Sequence, residues 1–539
     1  MKFVKDWDNG SQSALVMGYN DINFQVERPP TLAQWNAQGR SFNYTSNFVR
    51  GDTNYYKLHE NPYRDIFVAV PNTIVLTDAV KLYTEPYYYH GNGVIPGATN
   101  LSSTSAFIGT QRVSFLQLHD NVTGSPSSSE LLYSPTLPAL DRIGTNSNVT
   151  WQVGNHALEL GYWYEYNEHH NVGQYSLIGA DGGPSNLGGY DSVLNTPGGG
   201  LFRYTDYLVR QQVNDIYVGD RMSFLDGRAA VDAGFKEIML SQNAFNRIPG
   251  TVYNRNNYVD APLPSVAGRF DITEHHQIFS DVGVNSKLPE TSQLIDVISP
   301  TTGKVTTQGG TSQKAETSII EELGYRYHDD LLVGSATFFN YNFTNRQLST
   351  IAIQNGSMVT QYLNAGGQTS RGADVSFGTR PFYHFRPFVS GEYLHATIDN
   401  NIARNGDYLR TTGKTATGAP TWTGNIGLDY DDDRFFGNFQ VHYVSSQYST
   451  FMNDEKMPNF ATADMTLGYR LNSFGYAKHP QIQLNLVNLT DHKYLTGINS
   501  TQFNALTTKG VYGTTIAGAS PTYLVGGGFA AIVSLSSAF

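Results

Sequence analysis

Between Pro420 and Gln447 apolar and polar residues alternate with a period of two, in two successive arms. In the first arm Trp422, Gly424, Ile426, Leu428 and Tyr430 fall on one side, with Asn425 and Asp429 on the other. After Asp431–Asp433 the second arm repeats the pattern. Phe435, Gly437, Phe439, Val441 and Tyr443 oppose Asn438, Gln440 and His442. Side chains of a strand alternate between faces, so the stretch predicts a β-hairpin with one apolar and one polar surface.

The unit recurs. In ALELGYWYEYN, Leu158, Leu160, Tyr162, Tyr164 and Tyr166 share a face. Similar pairs of arms follow around short turns at Asp226–Gly227, Glu274–His276, His328–Asp330, Pro381–His384 and Asn472–His479. Between these turns lie long connections, at about 168–200, 288–313, 399–419 and 491–521. Every second connection is long, which is how an outer-membrane barrel is wired, with short periplasmic turns and long extracellular loops. About fifteen strands are expected from residue 143 onward. Five weaker upstream segments bring the total near twenty: SALVMGYNDINFQV, SFNYTSNFV, RDIFVAV, TIVLTDAVKLYTEPYYYH and STSAFIGTQRVSFLQL. The predicted fold is all-β, a large antiparallel transmembrane β-barrel of about 20–22 strands. Residues 1–142 would hold N-terminal strands and loops of a barrel truncated at its N-terminus, and 143–539 the remaining strands. The last strand is expected to begin near Thr522, with Phe529, Val533, Leu535 and the terminal Phe539 facing outward. These residues form a barrel-closing C-terminal signal, since pairing with the first strand leaves no edge in lipid.

Composition narrows the choice. Only 15% of the 539 residues are charged while 13% are aromatic, 35 of them Tyr, and Cys is absent. No apolar run approaches the ~18 residues of a membrane-spanning helix, yet a mean hydropathy of −0.34 suits a barrel whose lumen-facing residues are polar. The lack of Cys excludes a disulfide scaffold and thiol chemistry. A net charge of −11 provides no footprint for nucleic acid. The first twenty residues have no signal-peptide pattern, because Asp6 and Asp8 interrupt them.

No catalytic motif is present. Gly526–Ala531 spells G-x-G-x-x-A, but it falls in the expected last strand with no helix behind it to hold a phosphate. No enzyme activity, cofactor or resident metal is therefore expected. Trp163 and Glu165 fall on the inward face near the extracellular end of their strand, and His169–His170 stand at the head of a long outer loop. Together they form a candidate ligand vestibule, although no carboxylate–His spacing completes a metal site around the paired histidines. A plain lumen wall and a solvated loop are the bland alternatives. Tyr87–His90 reads as interfacial aromatic belt.

Four stretches resemble the barrel of TonB-dependent outer-membrane receptors: KAETSIIEELGYRYHDDLLVGSATFFNYNFTN (Lys314–Asn345), NAGGQTSRGADVSF (Asn364–Phe377), LNLVNLTDHKY (Leu484–Tyr494) and the terminal Phe539. Their order and spacing cover roughly Val266 to Phe539. The resemblance implies a monomeric receptor in the bacterial, Gram-negative outer membrane, in contact with lipid. Its ligand would be scarce and large, most often a ferric siderophore, and TonB would act through a plug domain. No plug or TonB-engaging pattern is seen before the first strands, so TonB would reach this chain only through a plug that its residues do not supply. A plugless passive porin-like channel, a non-functional truncated receptor fragment and a soluble β-solenoid or sandwich remain as alternatives.

Overall fold

The computed structural model describes residues 1–113, 118–120, 123–310, 313–354, 357–404 and 406–538. Among them one antiparallel sheet of twenty strands dominates. It opens with β1 (Lys2–Asp6), β2 (Gln12–Gln25), β3 (Glu60–Ala69), β4 (Asn72–Val75) and β5 (Val80–Gly93). The tallest part of the wall follows, in β6 (Thr136–Val153), β7 (His156–Gln174), β8 (Arg203–Phe224), β9 (Ala229–Asn246) and β10 (Asn254–Asp271). Next are β11 (His276–Lys287), β12 (Glu316–His328), β13 (Leu332–Thr344), β14 (Gln368–Thr379) and β15 (Phe385–Ile398). The wall ends with β16 (Trp422–Asp431), β17 (Phe435–Val444), β18 (Phe460–Arg470), β19 (Lys478–Val487) and β20 (Ala530–Ala538). Each strand pairs with its sequence neighbours, and β3 and β4 share one position between β2 and β5.

The fifteen strands expected after residue 143 are present, β6 to β20. Upstream the outcome is mixed. SALVMGYNDINFQV, RDIFVAV and TIVLTDAVKLYTEPYYYH supply β2 to β5, but SFNYTSNFV and the described part of STSAFIGTQRVSFLQL (103–113 and 118) belong to outer connections and not to the wall, residues 114–117 lying outside the described residues. Their apolar residues alternate because they pack into clusters above the barrel, where Phe48 lies against Tyr55, Leu58 and Tyr133, and Ala106, Val113 and Leu118 pack with Leu101 and Phe202. The last strand also begins later than expected. Thr522–Val525 pairs with Leu495–Ser500 inside the final loop, and Gly526–Gly528 is irregular.

Connections at one rim span at most seven residues, whereas most at the other rim are long, up to 42 in 94–135 and 488–529. The turns are set by local chemistry. In the hairpin at 420–447, Ile426 faces Val441 and Leu428 faces Phe439 across the register. At its tip Asp432 Oδ1 accepts from the N–H groups of Arg434 and Phe435 (3.1 and 2.6 Å), and Asp433 takes φ 73°, a left-handed conformation that Asp tolerates.

The sheet is inverted relative to a soluble core. Leu160, Ile426 and Leu535 are 61%, 59% and 77% exposed, and their neighbours on the same face are likewise apolar. On β7 this outward apolar run, Leu158 to Tyr166, ends at Glu168, a length that matches the 9–11 residues a strand needs to cross a bilayer. At that height an outward ionic row begins. His90 bonds Asp141 (2.8 Å), Asp141 lies opposite Glu168, and Glu168 pairs with Arg210 (3.1 Å). The inner face is polar, carrying Asp281 opposite Glu322 and Asp374 opposite Glu392. β6 to β10 continue well above this boundary, since 18–22 residues extend on the order of 60 Å.

The ends of the sheet meet differently. β1 pairs with β2 and β20 with β19, and no pairing joins β1 to β20 among the described residues. Phe529, Val533 and Leu535 are exposed along β20 and its approach, while Phe539 lies outside the described residues. Above this seam the first and last outer loops clasp. Arg40 Nη1 donates to Asp491 Oδ1 (2.6 Å), Tyr523 N donates to Pro30 O (2.9 Å), and Leu32 and Trp35 pack on Phe460, Leu495 and Tyr523. Leu32 and Trp35 sit on the short helix α1 (Leu32–Gln38), which starts in a capping box between Thr31 and Gln34.

Two outcomes follow from this packing. On the inner face the Tyr217 ring covers Gly161 so closely that a Cβ would overlap it, and the Tyr217 hydroxyl is held by Asn146 and Asn148 (3.1 and 3.2 Å). Gly161→Ala should cost about 1–3 kcal/mol, read as a lower urea midpoint of the refolded barrel in detergent. At the periplasmic turns, Arg470 and the Asp433 N–H hold Asp431 at about 2, and backbone N–H groups with Tyr327 hold Asp329 at about 2. Both values lie below the ~3.9 of an unfolded Asp. Their stabilisation is therefore full above about pH 4 and is lost as pH falls towards 2. The double variant Asp329→Asn/Asp431→Asn should flatten the acid limb of the urea midpoint against pH.

Candidate functional site

The inner face of β5 to β10 is organised in rows, because residues opposite each other in the register lie at the same height. One row contains Glu85, Asn146, Trp163, Asp215, Ile238 and Ala261. The next, towards the outside, contains Tyr87, Gly144, Glu165, Val213, Leu240 and Val259. Above it come Tyr89, Arg142, Asn167, Gln211, Gln242 and Asn257, and then Gly91, Leu140, His169, Val209, Ala244 and Arg255.

Trp163 and Glu165 face inward as the alternation implied, and Tyr87 joins them. The Trp163 Nε1–H donates to the Tyr87 hydroxyl oxygen (3.0 Å), and that hydroxyl donates to Glu165 Oε2 (2.8 Å). Gly144 makes room for the Tyr87 ring. This corrects the reading of Tyr87–His90 as an aromatic belt. Only Tyr88 and His90 face outward, both bonded to Asp141 (2.8 Å each), while Tyr87 and Tyr89 line the lumen. Alternation alone requires that split.

The paired histidines separate for the same reason. His169 faces inward, its Nδ1 3.3 Å from the Thr291 hydroxyl, and burial, aided by the neighbouring His170 and Arg142, lowers its pKa and keeps the ring neutral. His170 faces outward, towards Asp206 and Arg247 (3.4 Å each). The two rings do not converge, and among the described residues no group of three or more His, Asp or Glu side chains is arranged to hold a metal.

An outer loop that the sequence placed outside the barrel bends into its mouth. From Leu288 to Asp296 it lies against the inner wall. Leu294 and Ile295 bury themselves on Tyr207, Val209 and Ala244, and Leu288 packs beside Trp163 on Val213, Leu240 and Val259. Its anchor is an ion pair. Arg255 Nη2 donates to both carboxylate oxygens of Asp296 (2.8 and 2.9 Å), with both side chains only 5% exposed. Arg255 Nη1 also donates to Leu294 O (3.1 Å). Burial alone would push the Asp296 carboxyl up, but Arg255 and the N–H groups of Gly309 and Val252 outweigh it and hold it below the usual range. Between this loop and the wall is a cavity of about 430 Å³, lined by Tyr63, Arg142, Asn167, His169, Gln211, Leu288–Ser292 and Tyr362 among others. Its volume falls in the range of small-molecule sites.

The exposed apolar band, the polar lumen and the one-sided long loops define an outer-membrane β-barrel. Residues 6–489 match the family described as TonB dependent receptor-like, beta-barrel. The chain belongs to that family, and so is a transporter of the bacterial outer membrane and not an enzyme. Solved structures show the same fold. The siderophore receptor PiuA from Acinetobacter baumannii is 14% identical at a TM-score of 0.65, over 99% of this chain and 73% of that one. The ferric yersiniabactin uptake receptor FyuA from Yersinia pestis is 13% identical at 0.63, over 99% and 69%. The copper transporter OprC is 12% identical at 0.60, over 98% and 70%.

Breaking the buried anchor should free the loop. Arg255→Ala leaves Asp296 buried without its counter-charge, a loss of about 3–5 kcal/mol. Amide hydrogen exchange across 288–310 should accelerate sharply while the wall strands stay protected. The double variant Arg255→Met/Asp296→Leu should restore much of the protection.

Proposed function

We propose that this barrel imports a scarce ligand too large for passive pores, a ferric siderophore. Recognition would take place in the outer vestibule, and TonB would open the path by acting on a plug standing in the lumen. The observation that carries this reading is the cavity at the mouth. It opens among Tyr63, Arg142, Asn167 and His169 and is roofed by a loop pinned inside the wall. A receptor must hold its ligand before its path opens, and a cavity closed by a loop on a buried ion pair meets that need. PiuA is a siderophore receptor and FyuA a ferric yersiniabactin uptake receptor, which agrees with the ligand class proposed here. The receptor would act as a monomer.

The test is uptake of radiolabelled iron from a panel of ferric siderophores under iron limitation. Deleting the gene should abolish uptake of one of them, and removing TonB should have the same effect. Uptake of that chelate undiminished by loss of TonB would show a passive channel instead, and no chelate affected by the deletion would exclude iron as the cargo.

A further inference from the structure

The row Asn257–Gln242–Gln211–Asn167–Arg142 has two unlike ends. At one end Gln242 donates to Gln211 Oε1 (3.2 Å) and to Pro289 O (3.0 Å), and accepts from Asn257 Nδ2 (3.1 Å). Those amides are engaged by the wall and the loop. At the other end Asn167 is 5% exposed and its carbonyl oxygen has no hydrogen-bond partner. Arg142, directly opposite it in the register, forms no hydrogen bond or ion pair with any described residue. A polar group enclosed without a partner is costly, and such groups in native proteins call for an explanation.

Both unengaged groups line the same cavity, and Arg142 is the one Lys or Arg among its lining residues. We propose that the cavity binds a carboxylate carrying a hydrogen-bond donor on the adjacent carbon, as in a 2-hydroxy acid. The Arg142 guanidinium takes the carboxylate and Asn167 Oδ1 accepts from the hydroxyl. The planar fork of Arg fits a carboxylate bidentately. An amide oxygen can only accept, so the ligand must bring the donor. Glu290, on the roofing loop, disfavours a second negative charge, so the bound arm is a monoanion. The Tyr63 ring, which lines the cavity, provides an apolar flank. This inference rests on the reading of the mouth as a ligand vestibule and specifies which part of a ligand that vestibule grips.

The test is calorimetric titration of the refolded full chain in detergent with mandelate, and with phenylacetate as the analogue lacking the hydroxyl. Mandelate should bind saturably and about tenfold more tightly than phenylacetate. Arg142→Gln should weaken both by roughly tenfold or more. Asn167→Leu should remove the preference for mandelate and leave phenylacetate unchanged. Arg210→Gln, on the outer face, should change neither, and heat-modifiable gel mobility shows that each variant is folded. No saturable mandelate binding by the unaltered chain, or unchanged affinity in folded Arg142→Gln, overturns the inference. Chelate uptake without mandelate binding would refute this inference alone. Mandelate binding that depends on Arg142, without any chelate uptake, would refute the uptake reading alone.

Discussion

In hydrocarbon there is no water to satisfy a backbone N–H or C=O, so a chain that crosses with strands must pair every one of these groups with its neighbours. The wall from β2 to β19 follows from that requirement, and the margins of β1 and β20, which no described pairing joins, are the exception. Strands joined side by side leave only two surfaces, and the two-residue period sends alternate side chains to lipid and to lumen. Leu160 is exposed for the same reason that Trp163 and Glu165 meet Tyr87 on the other side. The outward ionic row through Asp141, Glu168 and Arg210 marks where that requirement relaxes. Above it the wall continues in water, where side chains are free of the lipid's demand.

This division explains what the chain discloses before its structure is known. Where lipid is on one side, the pattern is strict, and β6 to β20 are legible from alternation alone. Where water surrounds the chain, apolar residues alternate for other reasons. SFNYTSNFV and STSAFIGTQRVSFLQL have strand-like patterns because Phe48, Ala106 and Val113 pack into clusters formed by the outer loops. β1 has no legible pattern because five residues, KFVKD, contain too few periods to stand out.

The inward facing of Trp163, Glu165 and His169 was legible by the same rule, and only so far as the rule reaches. Alternation places Trp163, Glu165 and His169 inside and His170 outside, so the adjacent histidines could have been separated from sequence. Their partners could not. Tyr87 comes into reach of Glu165 only through the registers of β5, β6 and β7, and Thr291 meets His169 only because a loop turns inward. The ion pair of Arg255 with Asp296 joins residues whose neighbourhoods carry no shared signal. Arg142 and Asn167 become notable only by what they lack, which no residue pattern expresses.

The clasp between the first and last outer loops has a mechanical meaning. A rolled sheet is a hoop, and its girth is decided wherever its two margins are tied. Among the described residues the tie at the outer rim is made by Arg40 on Asp491 and by Trp35 among the aromatic residues of the final loop, not by a strand ladder. Loosening those few contacts would let the rim spread like an unbuckled belt, while the ladders lower in the wall kept their spacing.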